Sequence, residues 1–220
     1  MKLIKLSLAA AVLATGMLAA ETSEVGISAN VTATSNYVWR GMTQTDDSPA
    51  IQGGFDLDYN GLYAGVWGSN ISWTDDTSAS LEADFYAGYA NEISRFSYDV
   101  GYVQYTYANA TDGNNFGEAY AKLGYDFEVA SIGAAYYMGV DTNNFDPDDA
   151  WEVSASAPLP MEFSVDVTYG DYDTSGAYYL VGVNKSLGKF DFTLAYTAND
   201  ADGDSANEQD NVVFSVGTSF

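Results

Sequence analysis

From residue 24 to its end the chain repeats one pattern, in which apolar and polar side chains alternate over about ten residues before turn residues interrupt them. The segment 80–90 shows it, with apolar side chains at Leu81, Ala83, Phe85, Ala87 and Tyr89. A period of two places successive side chains on opposite faces of a β-strand. No helical period follows residue 20, so the pattern predicts an all-β fold.

Twelve segments carry this pattern, and each predicts one strand. They are 24–40, 50–59, 62–73, 80–90, 96–107, 116–126, 129–140, 150–157, 161–170, 176–186, 189–198 and 210–220. Tight connections lie at 60–61, 91–95, 127–128, 158–160 and 187–188, and longer polar ones at 41–49, 74–79, 108–115, 141–149, 171–175 and 199–209. Short periplasmic turns that alternate with longer outer loops are typical of transmembrane barrels with an even strand number. We therefore expect an antiparallel up-and-down transmembrane β-barrel of about 12 strands. A soluble β-sandwich would share the alternation but would not require this pattern of loops.

Both ends of the chain indicate export to the outer membrane. Residues 1–20 combine Lys2 and Lys5 with an apolar run that closes on Ala19 and Ala20, which predicts a signal peptide cleaved after Ala20. The run is shorter than the roughly 20 residues that a spanning helix needs. The last ten residues alternate apolar or small residues and finish on Phe220, as in the terminal strand by which outer-membrane barrels are recognised. Residues 21–220 are therefore expected to form the barrel.

One hairpin predicts which face of the barrel is polar. A two-residue turn at Asn60-Gly61 makes Tyr59 and Leu62 cross-strand neighbours on one face, which we expect to contact lipid. The opposite face then carries Asp56 and Asp58 and lines the lumen.

Extended to the other strands, this assignment predicts a lumen with many carboxylates and few cations. Its charged residues are Arg40, Asp56, Asp58, Glu82, Asp84, Asp99, Glu118, Lys122, Asp126, Glu152, Glu162, Asp166 and Asp191. Acidic rings favour cations over anions, so we expect a cation-preferring channel. The alternative is that these acids only keep the lumen wet and pair with tyrosines.

The two cations predicted in the lumen have structural and functional interpretations. Arg40, expected at the outer end of the first strand, is suited either to anchor a loop or to bind an anionic solute group, and pairing with a nearby acid is favoured. Lys122 is expected to pair with Glu118 and Asp126 on the same face.

Composition excludes several kinds of chemistry. The chain has 31 acidic and 7 basic residues, so nucleic acid is not an expected partner. It has no histidine and no cysteine, which excludes disulfides and nucleophiles that rely on either residue. Asp173-Thr174-Ser175-Gly176 matches an aspartic-protease tetrapeptide, but it occurs once, where the chemistry needs two carboxylates. We expect no enzyme and no cofactor, although a carboxylate-only glycosidase stays formally open.

The predicted outer loops are also acidic. Asp200, Asp202 and Asp204 resemble part of a calcium-binding loop but lack its full ligand pattern, so a solvated acidic loop is favoured.

The expected barrel resembles a known family over essentially its whole length, most specifically in its first block. The stretch SANVTATSNYVWRGMTQTDDSPAIQGGFDLDYNGLYAGVWGSNISW, residues 28–73, is similar to the TorF family of porins, and FYAGY at 85–89 and YDVGYVQYTY at 98–107 fit the same pattern. The resemblance implies a small outer-membrane barrel with lipid and lipopolysaccharide around it. We expect a monomer that passes small cationic or neutral solutes by diffusion. The alternative is a non-conducting structural or surface-binding barrel whose acidic loops bind divalent cations.

Overall fold

Twelve long strands close into a single antiparallel barrel. The computed structural model describes residues 25–73, 78–110, 114–142, 147–200 and 208–220. The strands are β1 (Gly26–Thr34), β2 (Val38–Trp39), β3 (Met42–Thr43), β4 (Ala50–Tyr59), β5 (Leu62–Asn70), β6 (Leu81–Ile93), β7 (Phe96–Ala108), β8 (Phe116–Asp126), β9 (Ser131–Val140), β10 (Ala150–Leu159), β11 (Phe163–Tyr172), β12 (Gly176–Leu187), β13 (Phe190–Asp200) and β14 (Gln209–Ser219). All except β2 and β3 pair in chain order, and β1 pairs with β14 to close the barrel. The predicted twelve-stranded fold is confirmed.

The alternation of side chains has the expected physical basis. Tyr59 lies opposite Leu62 across the Asn60-Gly61 turn, and Asp56 lies opposite Gly65, as the hairpin predicted. The outward-facing side chains are large and apolar, for example Phe55 and Leu57 at 44% and 41% exposed. Such a continuous apolar surface is stable only against lipid, while the polar faces of the strands point inward.

The two ends of the barrel differ in the length of their connections. At one end, called here the turn end, β4 and β5, β6 and β7, and β12 and β13 are joined by two-residue turns. The opposite end, the loop end, carries 35–49, 71–80, 109–115, 141–149 and 201–208. Both termini of the described barrel, Gly26 and Ser219, lie at the turn end. The signal peptide expected at residues 1–20 lies outside the described residues.

Most predicted strand ends lie within three residues of the observed ones, and two predictions are wrong. The connection predicted at 171–175 is shorter, because β11 continues to Tyr172 and only the 3₁₀ turn Asp173–Ser175 precedes β12. The first strand was predicted to run to residue 40, but β1 ends at Thr34. Residues 35–49, which we call the inner loop, then turn into the barrel.

Helical structure among the described residues is limited to two 3₁₀ turns, Pro160–Glu162 and Asp173–Ser175. None of the helices in this part of the chain has the length and apolar character needed to cross a membrane.

Candidate functional site

The inner loop carries a small hairpin of its own. β2 and β3 pair through Val38 with Thr43 and Trp39 with Met42, and Arg40 and Gly41 form the two-residue turn between them. Both turn residues have positive φ, 47° and 83°, as hairpin turns of the primed types require. A Cβ at Gly41 would lie 2.6 Å from the carbonyl oxygen of Ala198 in β13. The tip of the hairpin therefore packs directly against the barrel wall.

Aromatic side chains of the inner loop reach strands on several sides of the barrel. The ring of Tyr37 meets Trp67 of β5 edge-on at 5.4 Å between centroids. Trp39 meets Tyr172 of β11 at 5.2 Å and Tyr105 of β7 at 6.0 Å. Because β5 and β11 lie six strands apart in the twelve-stranded barrel, on opposite sides of the wall, the inner loop spans the interior.

Hydrogen bonds fix the inner loop to the wall and to a second loop. Asn36 Nδ2 donates to Asn211 Oδ1 of β14 at 3.0 Å, and the amide of Thr43 donates to Gln209 Oε1 at 2.8 Å. In the connection that follows β5, the amide of Ser72 donates to the carbonyl of Gln44 at 2.9 Å. The loop is thus held at two places, at β14 and at the connection after β5.

A buried ion pair joins the inner loop to β8. Arg40 Nη1 and Nη2 donate to Glu118 Oε1 and Oε2 at 2.6 and 3.0 Å, with Arg40 7% and Glu118 0% exposed. Tyr105 donates its hydroxyl to Glu118 Oε2 at 3.0 Å. Burial alone would lower the pKa of the Arg40 guanidinium, but attraction to the Glu118 carboxylate outweighs burial and raises that pKa. The structural pairing expected for Arg40 is present, although the residue lies inside the barrel and not at the end of a strand.

The Arg40 guanidinium is also enclosed by aromatic rings. Its Cζ atom lies 4.3, 4.5 and 4.9 Å from the ring centroids of Trp39, Tyr172 and Tyr137. These distances are within the range of cation–π attraction, which is strongest for a desolvated cation.

Together, the inner loop and the inward side chains fill the loop-end half of the bore. Each of the twelve barrel strands contributes at least one inward residue there that is at most 9% exposed: Thr34, Gln52, Trp67, Asp84, Tyr105, Glu118, Tyr137, Ala150, Tyr172, Tyr178, Thr197 and Val213. An open channel at this level would leave such side chains in contact with water. The barrel is therefore closed at its loop end in this structure.

The turn-end half is different on the side of β4 to β8, where most inward side chains are only partly buried, whereas Ser156, Asp166, Asn184 and Thr193 across the barrel are buried. We call this half the vestibule. Asp56 accepts a hydrogen bond from Tyr86, and Asp99 accepts one from Tyr63 at 2.6 Å. The Asp58 carboxylate lies beside Gly26, where a Cβ would collide with it. Asp191, near the start of β13, also faces inward and is half-buried.

Lys122 lies on the inner face of β8, with its Nζ 4.5 Å from the ring centroid of Tyr120. The sequence predicts a structural ion pair with Glu118 and Asp126 on the same face. In the structure the residue opposite Lys122 on β7 is Asp99, Glu118 is bound by Arg40, and Asp126 Oδ1 accepts the amide of Glu128. Glu162, also predicted in the lumen, is exposed in a 3₁₀ turn at the turn end, because β11 begins only at Phe163.

The remaining predicted lumen acids face inward and are paired to different degrees. Glu152 accepts hydrogen bonds from Tyr137 and Tyr178, each at 3.2 Å, and Asp166 accepts one from Asn184. Glu82 and Asp84 are each 2% exposed. Within the described residues, one oxygen of each of these two side chains is buried without a hydrogen-bond partner.

Interior tyrosines, which the sequence predicts as partners of the lumen acids, also contact one another through their hydroxyl groups. Tyr63 and Tyr120 meet over Gly101, where a Cβ would lie 2.8 and 2.5 Å from their hydroxyl oxygens. The missing side chain of Gly101 is what allows the two rings to lie across the wall. Glycines at inward positions of the alternating pattern were the sequence signal that could have predicted where tyrosine rings lie across the wall.

The weak metal candidates cannot be placed as a set. Asp200 is the exposed last residue of β13, and Asp202 and Asp204 lie outside the described residues. In the part of the chain that is described, no three potential metal-ligating side chains cluster.

Solved structures with this architecture include porins and one kind of enzyme. The barrel is similar to the KdgM porin, with a TM-score of 0.62 and 11% identity over 88% of this chain and 98% of that one. It is similar to the NanC porin with a TM-score of 0.56 and 12% identity, over 89% and 99% of the two chains. Outer membrane phospholipase A from Escherichia coli gives a TM-score of 0.53 and 11% identity, over 87% and 91%. At these identities the likeness shows a shared barrel fold.

Sequence comparison is more specific about family than about function. No curated protein matches the chain. The TorF name suggested by residues 28–73 is not confirmed. The family profile Gcw_chp, described as a bacterial protein of unknown function, matches residues 18–220. The chain therefore belongs to the Gcw_chp family.

Proposed function

We propose that this protein is an outer-membrane porin, a passive channel for small cationic or neutral solutes. The observation that carries the proposal is a closed twelve-stranded barrel with an apolar outer face and an acidic inner face. Its similarity to two structures named as porins supports the same interpretation. Export by a signal peptide at residues 1–20 would place the turn end in the periplasm.

The vestibule supports a preference for cations. Asp56, Asp58, Asp99 and Asp191 line it, against the single nearby cation Lys122 among the described inward residues. A negative lining raises the local concentration of cations and repels anions. One structure of KdgM is a complex with oligogalacturonate, which is a polyanion. The acidic interior of this chain is unsuited to such a solute.

We infer that the barrel has no catalytic activity. Its likeness to a phospholipase extends only to the fold, and the chain has no histidine or cysteine to activate or act as a nucleophile. In the proposed function the carboxylates act through their collective charge.

A non-conducting barrel is the second candidate, and the filled loop-end half favours it. If the inner loop never leaves the bore, the protein would be a structural or surface-binding barrel, and its acidic loops would be suited to divalent cations. If the inner loop moves, the same structure is a closed state of a channel. In either case the partners are outer-membrane lipid and lipopolysaccharide, and we propose a monomer.

Planar-bilayer recordings of refolded residues 21–220 separate these candidates. The recordings compare the native chain with a variant whose residues 36–48 are replaced by a short Gly-Ser linker, under a potassium chloride gradient. A porin gives discrete current steps in at least the shortened variant, with a reversal potential of the sign set by cation excess. Absence of current from both barrels, each verified as folded, would exclude the porin and leave the structural candidate. A rise in the melting temperature with calcium would then support cation-binding loops.

A further inference from the structure

We infer that the wall of the barrel contains a binding site for the guanidinium group of a solute, and that Arg40 is a tethered occupant of this site. The inference rests on the proposed channel function, since it names a class of solute. We call the site the guanidinium pocket and define it by four wall residues, Tyr105, Glu118, Tyr137 and Tyr172.

The pocket belongs to the barrel and not to the inner loop. Its four residues lie on β7, β8, β9 and β11, whereas Arg40 comes from the turn of the inner hairpin. The Tyr105 hydroxyl donates to Glu118 Oε2, which orients the carboxylate independently of the loop. Withdrawal of the inner loop would thus leave the Glu118 carboxylate, flanked by two tyrosine rings, with no cation against it.

The geometry of the pocket matches a guanidinium better than an ammonium. Two nitrogens of Arg40 donate to the two oxygens of Glu118, which is the paired arrangement of a planar fork and a carboxylate. The rings of Tyr172 and Tyr137 lie 4.5 and 4.9 Å from its central carbon, which suits a flat and weakly hydrated cation. An alkylammonium ion is a compact point charge and cannot make both donations in this plane.

The position of the pocket places it first on a path through the barrel. Glu118 is two residues from Phe116, the loop-end residue of β8, and the acidic vestibule lies beyond it toward the turn end. A solute that enters at the loop end meets the pocket before the vestibule. Displacement of Arg40 by a solute therefore removes one of the contacts that hold the inner loop, beside the hydrogen bonds of Asn36, Thr43 and Gln44, and loosens the loop. A tethered competitor has an effective concentration on the order of millimolar, so millimolar alkylguanidinium is needed to compete.

Chemical rescue of an Arg40→Ala variant tests the pocket without requiring conduction. We expect this variant to melt at a lower temperature than the native barrel. Ethylguanidinium, at on the order of 10 mM, should recover at least half of the loss, because it binds only the folded state. Ethylammonium at the same concentration should recover much less. Arg95→Ala, which removes an exposed arginine paired with Glu128, is the matched control and should show no rescue.

The double variant Arg40→Ala, Glu118→Gln should respond to neither cation, because the pocket has lost its carboxylate. Equal responses to the two cations, or equal responses of the single and double variants, would overturn the inference and leave Arg40 as a structural ion pair only. Failure of both the native barrel and the barrel with the shortened inner loop to conduct would refute the proposed channel but would leave this binding result standing.

A second measurement uses the native Arg40, in case the alanine variant does not fold. The chain has no cysteine, so Val38→Cys places a single thiol on the inner loop at a site that is 4% exposed. Ethylguanidinium should raise the rate of maleimide labelling several-fold, and ethylammonium should not. The control Lys189→Cys places the thiol at the turn end, where the rate of labelling should be the same in ethylguanidinium as in ethylammonium. No change at position 38 up to high millimolar ethylguanidinium would contradict displacement of Arg40.

Discussion

At the scale of single residues, Arg40 and Glu118 form an ion pair in which both side chains are almost completely buried. Both charges are removed from water, and each is compensated mainly by the other. Desolvation of a buried ion pair can cost as much as the pair returns, so such a pair is a weak stabiliser as a whole. Removal of one partner is strongly destabilising, because the remaining charge is then buried without compensation.

We therefore expect Arg40→Met to lower the free energy of unfolding by about 3–5 kcal/mol. The double variant Arg40→Met, Glu118→Met should be far less destabilised, because no charge is left uncompensated. Urea unfolding of barrels in lipid vesicles, followed by tryptophan fluorescence, measures both. Arg95→Met should cost at most about 1 kcal/mol, because its pair with Glu128 is exposed. Equal losses in the single and double Arg40 variants would show that packing and not charge holds the site.

At the scale of elements, the inner loop is positioned by its hairpin tip. Substitution of two glycines by alanine can separate the effect of a steric collision at the tip from the effect of backbone strain. Gly41 and Gly188 both have positive φ, 83° and 66°. A Cβ at Gly41 would collide with the backbone of Ala198, whereas nothing lies within 4 Å of a Cβ at Gly188. We expect Gly41→Ala to push the tip off β13 and to raise the frequency of open events in bilayer recordings severalfold. Gly188→Ala, which carries similar backbone strain at the turn end, should leave the recordings unchanged. Identical recordings from the two variants would mean that the tip contact does not position the loop.

The long strands were predictable because each one satisfies a local rule. β4 and β5 show it, since lipid on one side and polar contacts on the other impose a period of two, and Asn60-Gly61 sets the register. The inner loop obeys no such rule. The run from Tyr37 to Gly41 was predicted as part of the first strand, but its two aromatic side chains pack against Trp67, Tyr105 and Tyr172, which are distant in sequence. One signal was available: a first strand of residues 24–40 is longer than the roughly 9–11 residues that a membrane strand needs.

The face of each charged side chain was predictable for the same reason, but its partners were not. Alternation alone places Glu118 and Lys122 on the inner face of β8. Arg40 reaches Glu118 because the inner loop, which connects β1 and β4, enters the barrel. Asp99 lies opposite Lys122 because of the register between β7 and β8. Contacts of this kind arise only when the barrel closes.

At the scale of the whole molecule, charge is divided between two environments. Glu82, Asp84 and Glu118 of the loop-end half are buried, and Glu118 is paired with Arg40, whereas Asp56, Asp58, Asp99 and Asp191 of the vestibule stay in contact with water. These vestibule acids can change the ion concentration in a conducting path, whereas the charge of Glu118 is neutralised by a buried partner and has little field beyond it. The cation preference proposed here should therefore depend on the vestibule.

The triple variant Asp56→Asn, Asp58→Asn, Asp99→Asn tests this dependence in the barrel with the shortened inner loop. We expect its reversal potential under a potassium chloride gradient to move most of the way toward the value for no selectivity. The triple variant Asp141→Asn, Asp173→Asn, Asp200→Asn, made in the same shortened barrel, neutralises three exposed loop-end acids and is the matched control for net charge. It should change the potential little. The preference should also weaken as salt rises toward 1 M, where the Debye length falls to about 3 Å and the vestibule charges are screened from the path. A selectivity that is the same in the triple variant and its parent would show that the vestibule carboxylates do not set it.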